Sequence, residues 1–557
     1  MGNKKQGIEK LLLNKRFLGL LLRSRTRNLI KIMKDGNIFF HSIDKFPDKD
    51  AIIIDEKKFT YKELKERINR LNNGLRSIGL KGGDHICCFL KNSNEILEIV
   101  FGSSLAGFRS TPINWHLTSE EIEYIINNSD SKVFFVEDEF LERIIPIKSR
   151  LEKLKQIIVI GNRVPEGMIS YEKFLKDSSS KDLASFVRGG GFMLYTSGTT
   201  GRPKGTHSRA MDDPSILDPD DIVNFVYALN NLMYGFDFQK TTNRHIVVGP
   251  LYHAAPLGFA GFTLAQNGTI IIMKKFDPEE TLRLIQKEKI STSFMVPIIL
   301  KRIMEVEGKE KYDVSSMKSL VCAAAPCPAE LKKRVVKFFG PIFFEFYGST
   351  DAQINFILRP EHYMNDEGKY ASVGKITVGN RAEVLDEEGR VLPPGEIGDL
   401  HIANTMVKHL EYYNDPEKTR NSFRNVNGLN FFIEGEVAYL DKEGFCYIVD
   451  RKKDLIISGG VNIYPFEIEE VIQKHPDVSD VAVIGVPDDE WGESVMACIV
   501  QKAGKKITAD EIIALCSEHL AGYKRPKVID FVEEIPRRID GKLMKRDLRK
   551  KYAVAKD

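Results

Sequence analysis

The stretch Tyr195-Thr-Ser-Gly-Thr-Thr-Gly-Arg-Pro-Lys-Gly205 directly follows the apolar run Phe192–Leu194 and holds the densest chemistry in the chain. Its glycines, Gly198 and Gly201 among them, let the backbone bend sharply and turn N–H groups toward an anion. Thr196, Ser197, Thr199 and Thr200 add hydroxyl donors, and Lys204 adds a positive charge. That combination is a cradle for a polyphosphate. A plain glycine turn would leave four hydroxyls and a lysine unexplained. The Gly-x-x-x-x-Gly-Lys-Ser/Thr phosphate loop cannot be matched here.

Further candidates lie downstream. Tyr347-Gly348-Ser349-Thr350-Asp351 follows the apolar strand Ile342–Phe346, and the small residues Ala323-Ala324-Ala325-Pro326 sit near another strand end, where simple packing would also explain them. Glu434-Gly435-Glu436 and Arg451 bring charge to a β-rich region. His253 falls in the loop Pro250–Pro256, and Lys542 follows Gly541 in a stretch, 524–551, with eleven Lys/Arg against five acidic residues. Such a stretch suits a polyanion, and no nucleic-acid motif accompanies it. The seven cysteines are scattered, form no CxxC pair, and read as buried free thiols in a reducing compartment.

The elements that must carry these residues alternate. Ala51–Ile54 reads as a strand, Thr60 as the cap of a helix beginning at Tyr61, Ile86–Leu90 as a strand, and Ile96–Ala106 as a helix. Lys132–Val136, Ile157–Ile160 and Ile246–Val248 continue the strands. Strands alternating with helices predict a layered α/β fold with largely parallel sheets. From about Ala371 to Tyr447 short strands and turns predict a β-rich subdomain. Beyond Asp450–Asp454, helix 466–474, strands 481–486 and 494–500, helix 509–519 and strand 527–531 predict a compact α+β unit. The 557 residues are too many for one core.

Net charge is +3, yet residues 1–34 hold ten Lys/Arg against Glu9, leaving −6 for the rest. With Leu11–Leu13 and Leu20–Leu22, residues 1–40 read as a basic leader helix or tail. It would either pack on the domain or lie on an anionic membrane surface. Lys15 and Arg16 interrupt the apolar region, which argues against a signal peptide. No run of about 18 apolar residues exists to span a membrane. A cytoplasmic protein, peripheral to the membrane at most, is expected; no oligomeric state follows from these residues.

The phosphate loop resembles that of the adenylate-forming enzymes, the superfamily of acyl-CoA synthetases, peptide-synthetase adenylation domains and firefly-type luciferases. The resemblance continues through 344–351, Ser372–Lys375, Gly395–Gly398, Tyr412–Thr419, the run from Gly435 to Glu470, and Pro536–Lys542, covering roughly residues 45–550. It implies an adenylation domain over 41–450 and a small mobile C-terminal domain over 451–557. It also implies an acid–CoA ligase that consumes ATP with Mg2+, a carboxylic acid and coenzyme A.

By that resemblance Lys542 is the catalytic lysine, Thr350 binds the α-phosphate, Asp351 holds the metal, and Tyr347, with Gly348 and Ser349, flanks the nucleotide. Ala324, Ala325 and Pro326 stand at the adenine contact, where relatives carry Gly-Gly-Ala-Pro. Glu436 and Arg451 serve the ribose, Lys453 the hinge, His253 the acyl site, and Gly459-Gly460 the pantetheine tunnel. Two positions depart from the family. Asp351 replaces the usual Glu, and Glu434-Gly435-Glu436 replaces Thr-Gly-Asp. The apolar supply at Phe259, Phe262 and Met295, with the segment Arg209–Lys240, points to a medium- or long-chain fatty acid. A bulky cyclic, aryl or steroid-like acid is the alternative, as is a weakly active nucleotide- or acyl-binding homologue. A luciferase-like oxygenase shares the fold, and the absence of an acidic partner for an ammonium argues against amino-acid activation.

Overall fold

The computed structural model describes residues 43–183, 190–196, 203–209, 216, 243–537 and 543–553. The leader, Ser197–Gly201, most of Arg209–Lys240, and Lys542 lie outside them. Among the described residues no helix is long and apolar enough to cross a membrane.

Thr60 caps the helix Tyr61–Ser77 in a reciprocal box with Glu63, which satisfies otherwise orphaned N–H groups at its start. The helix buries Leu64, Ile68, Leu71 and Leu75 on one face against the first core. Ile96–Ala106 is not one regular helix. A short α-helical turn, Asn94–Leu97, passes into a π-helical turn, Glu98–Gly102. Glu98, fully buried, receives hydrogen bonds there from Arg67 (2.7 Å), Asn94 (2.8 Å) and the Tyr171 hydroxyl (2.8 Å). This network occupies the place where the helix departs from regular winding.

Two sheets dominate the larger part of the chain. Six parallel strands run in the order Ile169–Ser170, Gln156–Ile160, Ser131–Glu137, His85–Phe89, Arg109–Pro112, Gly191–Phe192. The central strand His85–Phe89 is buried along its whole length, as expected for a parallel sheet covered on both faces. The second sheet has nine strands, with a parallel centre from Asp50–Ile54 to Phe343–Ser349. In it Arg244–Val247 lies between Thr269–Ile272 and Thr292–Met295, so successive connections leave it in opposite directions. The carboxyl end of such a strand opens a crevice between diverging connections. The loop from Gly249 to His253 emerges there.

An antiparallel sheet built on Arg381–Leu385, Gly398–Ala403, Phe423–Val426, Leu429–Leu440 and Cys446–Arg451 forms the β-rich region. The last sheet pairs Val478–Asp488 with Gly492–Gln501 and carries the helices Pro465–Gln473 and Ala509–His519 over its own core. The molecule thus has a large part of layered α/β and β-rich units and a small α+β unit. All seven cysteines are unpaired and buried.

Candidate active site

One cleft of about 1490 Å³ opens where these sheets meet the last α+β unit. The hairpin Leu194–Thr196 and Lys204–Ser208 forms part of its wall, with Thr196 opposite Lys204 and Gly205 opposite Tyr195. Thr196, Thr206, His207 and Ser208 line the cleft. Lys204 is ion-paired with Asp415, whose carboxyl is held below its ordinary range by that contact.

The strand Phe343–Ser349 delivers the next group. Pairing with Gln353–Leu358 shifts register between Tyr347 and Gly348. A β-carbon on Gly348 would stand 1.8 Å from the Gln353 carbonyl oxygen, so no side chain fits at this bulge. The chain then turns, with the Ser349 hydroxyl accepting from the Ala352 N–H (2.9 Å), and Tyr347, Thr350 and Asp351 enter the cleft wall. Burial raises the Asp351 carboxyl above its ordinary range, and the hydroxyls of Thr206 and Tyr412 beside it oppose the shift. Its Oδ1 is buried without a hydrogen-bond partner.

Glu434 and Glu436 reach the same wall from the long strand Leu429–Leu440. Glu436 is cross-strand partner to Arg451, with Nε to Oε1 at 3.4 Å. Glu434 lies 3.4 Å from both the Ser349 hydroxyl and the Asn355 amide. Burial first, then repulsion from Glu436 and Asp351, pushes its carboxyl up to about 8. The motif exposed Glu434 as a departure, but only the folded register turns it into the cleft beside Asp351. Tyr347, facing both glutamates, keeps its proton far above the ordinary tyrosine range through burial.

Ala323–Pro326 covers another side of the cleft, following the strand Ser319–Cys322. Ala324 adopts φ +78°, the left-handed region that disfavours a side chain. His253 precedes the helix Ala254–Ala265, its ring 4.4 Å from that of Tyr252. Behind it Phe259, Phe262, Phe294 and Phe346 line an apolar end, with Phe259 and Phe294 stacked at 5.4 Å. Met295 is fully buried in the core beneath.

Across the cleft stand residues of the α+β unit. Arg537 and Leu543 bridge one another and both line it, flanking the stretch that contains Lys542. Arg537 is anchored to Asp480, and Lys545 to Glu469 (2.7 Å). Lys453 lies in a short 3-10 turn, Lys452–Asp454, where Arg549 donates to its carbonyl (3.1 Å) and to that of Asp454 (2.9 Å). Gly459 and Gly460 are elsewhere. They form a hairpin at φ +57° and +78°, with Gly459 against the Trp491 ring and Gly460 facing open space, and do not line the cleft. Lys545 and His207 were missed from the sequence; alternation along Lys204–Ser208 was the available signal for His207.

Residues 39–409 match the AMP-binding enzyme family and residues 467–542 its C-terminal domain. A feruloyl-CoA synthase of an Amycolatopsis species is 32% identical over 88% of this chain and 94% of its own length. A medium/long-chain-fatty-acid–CoA ligase of Mycobacterium tuberculosis is 27% identical over 96% and 91%. The crystal structure of ATP-bound MatB from Rhodopseudomonas palustris superposes with a TM-score of 0.80 at 29% identity, covering 94% of this chain and all of that one. The chain belongs to the AMP-binding enzymes, the adenylate-forming superfamily. Within it, it is an AMP-forming acid–CoA ligase of the acyl-CoA synthetase branch.

Proposed function

We propose that this ligase activates a medium- or long-chain fatty acid as its acyl-adenylate and passes the acyl group to coenzyme A. The observation that carries the reading is the convergence of Thr350, Asp351, Glu436, Arg451 and both flanks of the Lys542 stretch on one cleft with an apolar end. In the first half-reaction a carboxylate oxygen attacks the α-phosphorus of ATP and pyrophosphate leaves. A carboxylate is a poor acyl donor because oxide cannot depart; adenylation supplies a leaving group.

The roles are those that the family resemblance implies for these positions. Lys542 places an ammonium where negative charge builds between carboxylate and α-phosphate, and Thr350 donates to the same phosphate. Thr196, Ser197, Gly198, Thr199, Thr200, Gly201 and Lys204 hold the outer phosphates, and binding would draw Lys204 from Asp415. Glu436, braced by Arg451, accepts from the ribose hydroxyls. Tyr347, Ala324, Ala325 and Pro326 flank adenine.

For Mg2+ the orphaned, buried Oδ1 of Asp351 is a fitting hard-oxygen ligand. Among the described residues no group of three or more metal-ligating side chains exists. That is compatible with a cation held by one carboxylate and substrate phosphates, where it would offset phosphate charge. In the second half-reaction the unit 451–557 turns about Lys453, carrying Lys542 away and Gly459-Gly460 inward. The CoA sulfur then attacks the acyl carbonyl beside His253, and AMP departs.

An aryl acid is the second reading, favoured by the stacked Phe259 and Phe294 and by the likeness to a feruloyl-CoA synthase. The test is acyl-CoA formation over saturated acids of increasing length alongside cinnamate-type acids. A kcat/KM that climbs with chain length supports the fatty-acid reading; a maximum at aryl acids with flat response to chain length replaces it.

A further inference from the structure

Among the described residues Gly249, Gly258, Gly348 and Gly435 are the glycines that line the cleft. Three of them have a local reason to lack a side chain. A β-carbon would stand 3.2 Å from the Pro256 ring at Gly249 and 1.8 Å from a carbonyl oxygen at Gly348, and Gly435 adopts φ +77°. Gly258 has no such reason. It lies inside the helix Ala254–Ala265, where glycine costs stability relative to alanine. Among the described residues, a β-carbon there would meet only the edge of the Phe262 ring, at 3.9 Å, an ordinary contact. Ala255, Gly258, Phe259 and Phe262 follow the helical spacing of one face, and all four line the cleft. Leu257 and Ala260 are buried in the first core instead. Beyond Gly258 stand the rings of Phe259 and Phe262, edge to face at 6.5 Å, and of Phe294. The missing side chain therefore leaves room beside the aromatic wall of the apolar end.

We propose that Gly258 is a specificity-determining residue, the open point on this helix face through which a long acyl chain reaches the aromatic end. The proposal rests on the fatty-acid reading given above, with the carboxylate beside His253. His253 stands at the N-terminus of the same helix. Five residues of helix separate it from Gly258, about 7.5 Å at the α-helical rise. An extended chain advances about 1.2 Å per bond, so an acid starting beside His253 draws level with Gly258 after about six bonds. Shorter acids end before that point, and longer ones run past it toward Phe262. A large side chain at this position closes the passage, and each methylene kept from the apolar end loses its share of affinity.

The experiment compares the full chain as wild type, Gly258→Leu and Gly258→Ala. Pyrophosphate release is measured with butanoate and with dodecanoate, and binding of a fluorescent polyene fatty acid is titrated without ATP. Gly258→Leu should lower the dodecanoate-to-butanoate ratio of kcat/KM about a hundredfold, and weaken the polyene acid by a similar factor, the worth of several methylenes. Its ATP affinity should not move. Gly258→Ala should melt no lower than wild type and lower the ratio about threefold. Unchanged polyene binding in a folded Gly258→Leu overturns the proposal, whatever turnover shows. A lowered melting temperature in Gly258→Ala overturns it as well, because the space would then be filled; this decides the matter even where the leucine variant does not fold. Wild-type protein that releases no pyrophosphate, yet binds the polyene acid and loses it in Gly258→Leu, would count against the ligase reading and keep the passage. Wild-type protein that binds no polyene acid and prefers an aryl acid overturns the fatty-acid reading, and the passage with it.

Discussion

Replacing Glu434 by Gln keeps the side chain's volume and its contacts with Ser349 and Asn355 while removing a charge from beside Glu436 and Asp351. In the folded protein burial, and then these two carboxylates, hold the Glu434 proton until about pH 8. In the unfolded chain the same group releases it near the ordinary glutamate value of about 4.3. Between those values the folded state binds one more proton than the unfolded state, so stability falls as pH rises. The Glu434 contribution is fully present below the lower value and lost by the upper one. The slope inside the window is about 1.4 kcal/mol per pH unit, before relaxation and water entry reduce it.

Denaturant unfolding of wild type and Glu434→Gln from about pH 6 to about pH 9 reads this group together with the carboxylates coupled to it, because the remaining titrations cancel in the difference. The variant should gain on wild type by about 2 kcal/mol between pH 6 and pH 8, then run parallel. ATP affinity should follow the same course, since deprotonation adds negative charge to a polyphosphate site. A difference that stays flat across the range would refute the reasoning, and with it the placement of Glu434 against Glu436 and Asp351.

Two further substitutions test particular features. Ala324→Gly removes a side chain from the left-handed region and should raise stability by about 1 kcal/mol in thermal or denaturant unfolding. Lys332→Met leaves Glu345 buried without its partner and should cost about 3 kcal/mol or more, with Lys332→Met/Glu345→Gln recovering most of it.

Local signals were legible wherever one short segment carried the whole instruction. Thr60 announced a helix start, to which the fold adds the reciprocal bond with Glu63, and the helix Ala509–His519 has the bounds read from the sequence. The strand read over the β-branched run Ile157–Ile160 is there as Gln156–Ile160. The order of strands was not legible, because nothing local to Arg244–Val247 says that it lies between two later strands. The same limit applied at the cleft. Glu434 was visible as an unusual letter, yet its carboxyl is raised by burial in the fold, then by Glu436, two residues on, and by Asp351 from a different strand end. The regular helix read over Ile96–Ala106 failed for a like reason. Arg67 and Tyr171, distant in sequence, meet Glu98 where the π-turn forms.

The most direct test of the central claim is pyrophosphate release over a panel of carboxylic acids, with and without CoA, in wild type and Lys542→Ala. The account predicts release that requires one class of acid, continues through many turnovers when CoA is present, and falls about a hundredfold or more in the variant. Release that is absent with every acid in a folded, ATP-binding protein, or that is undiminished in Lys542→Ala, would contradict it.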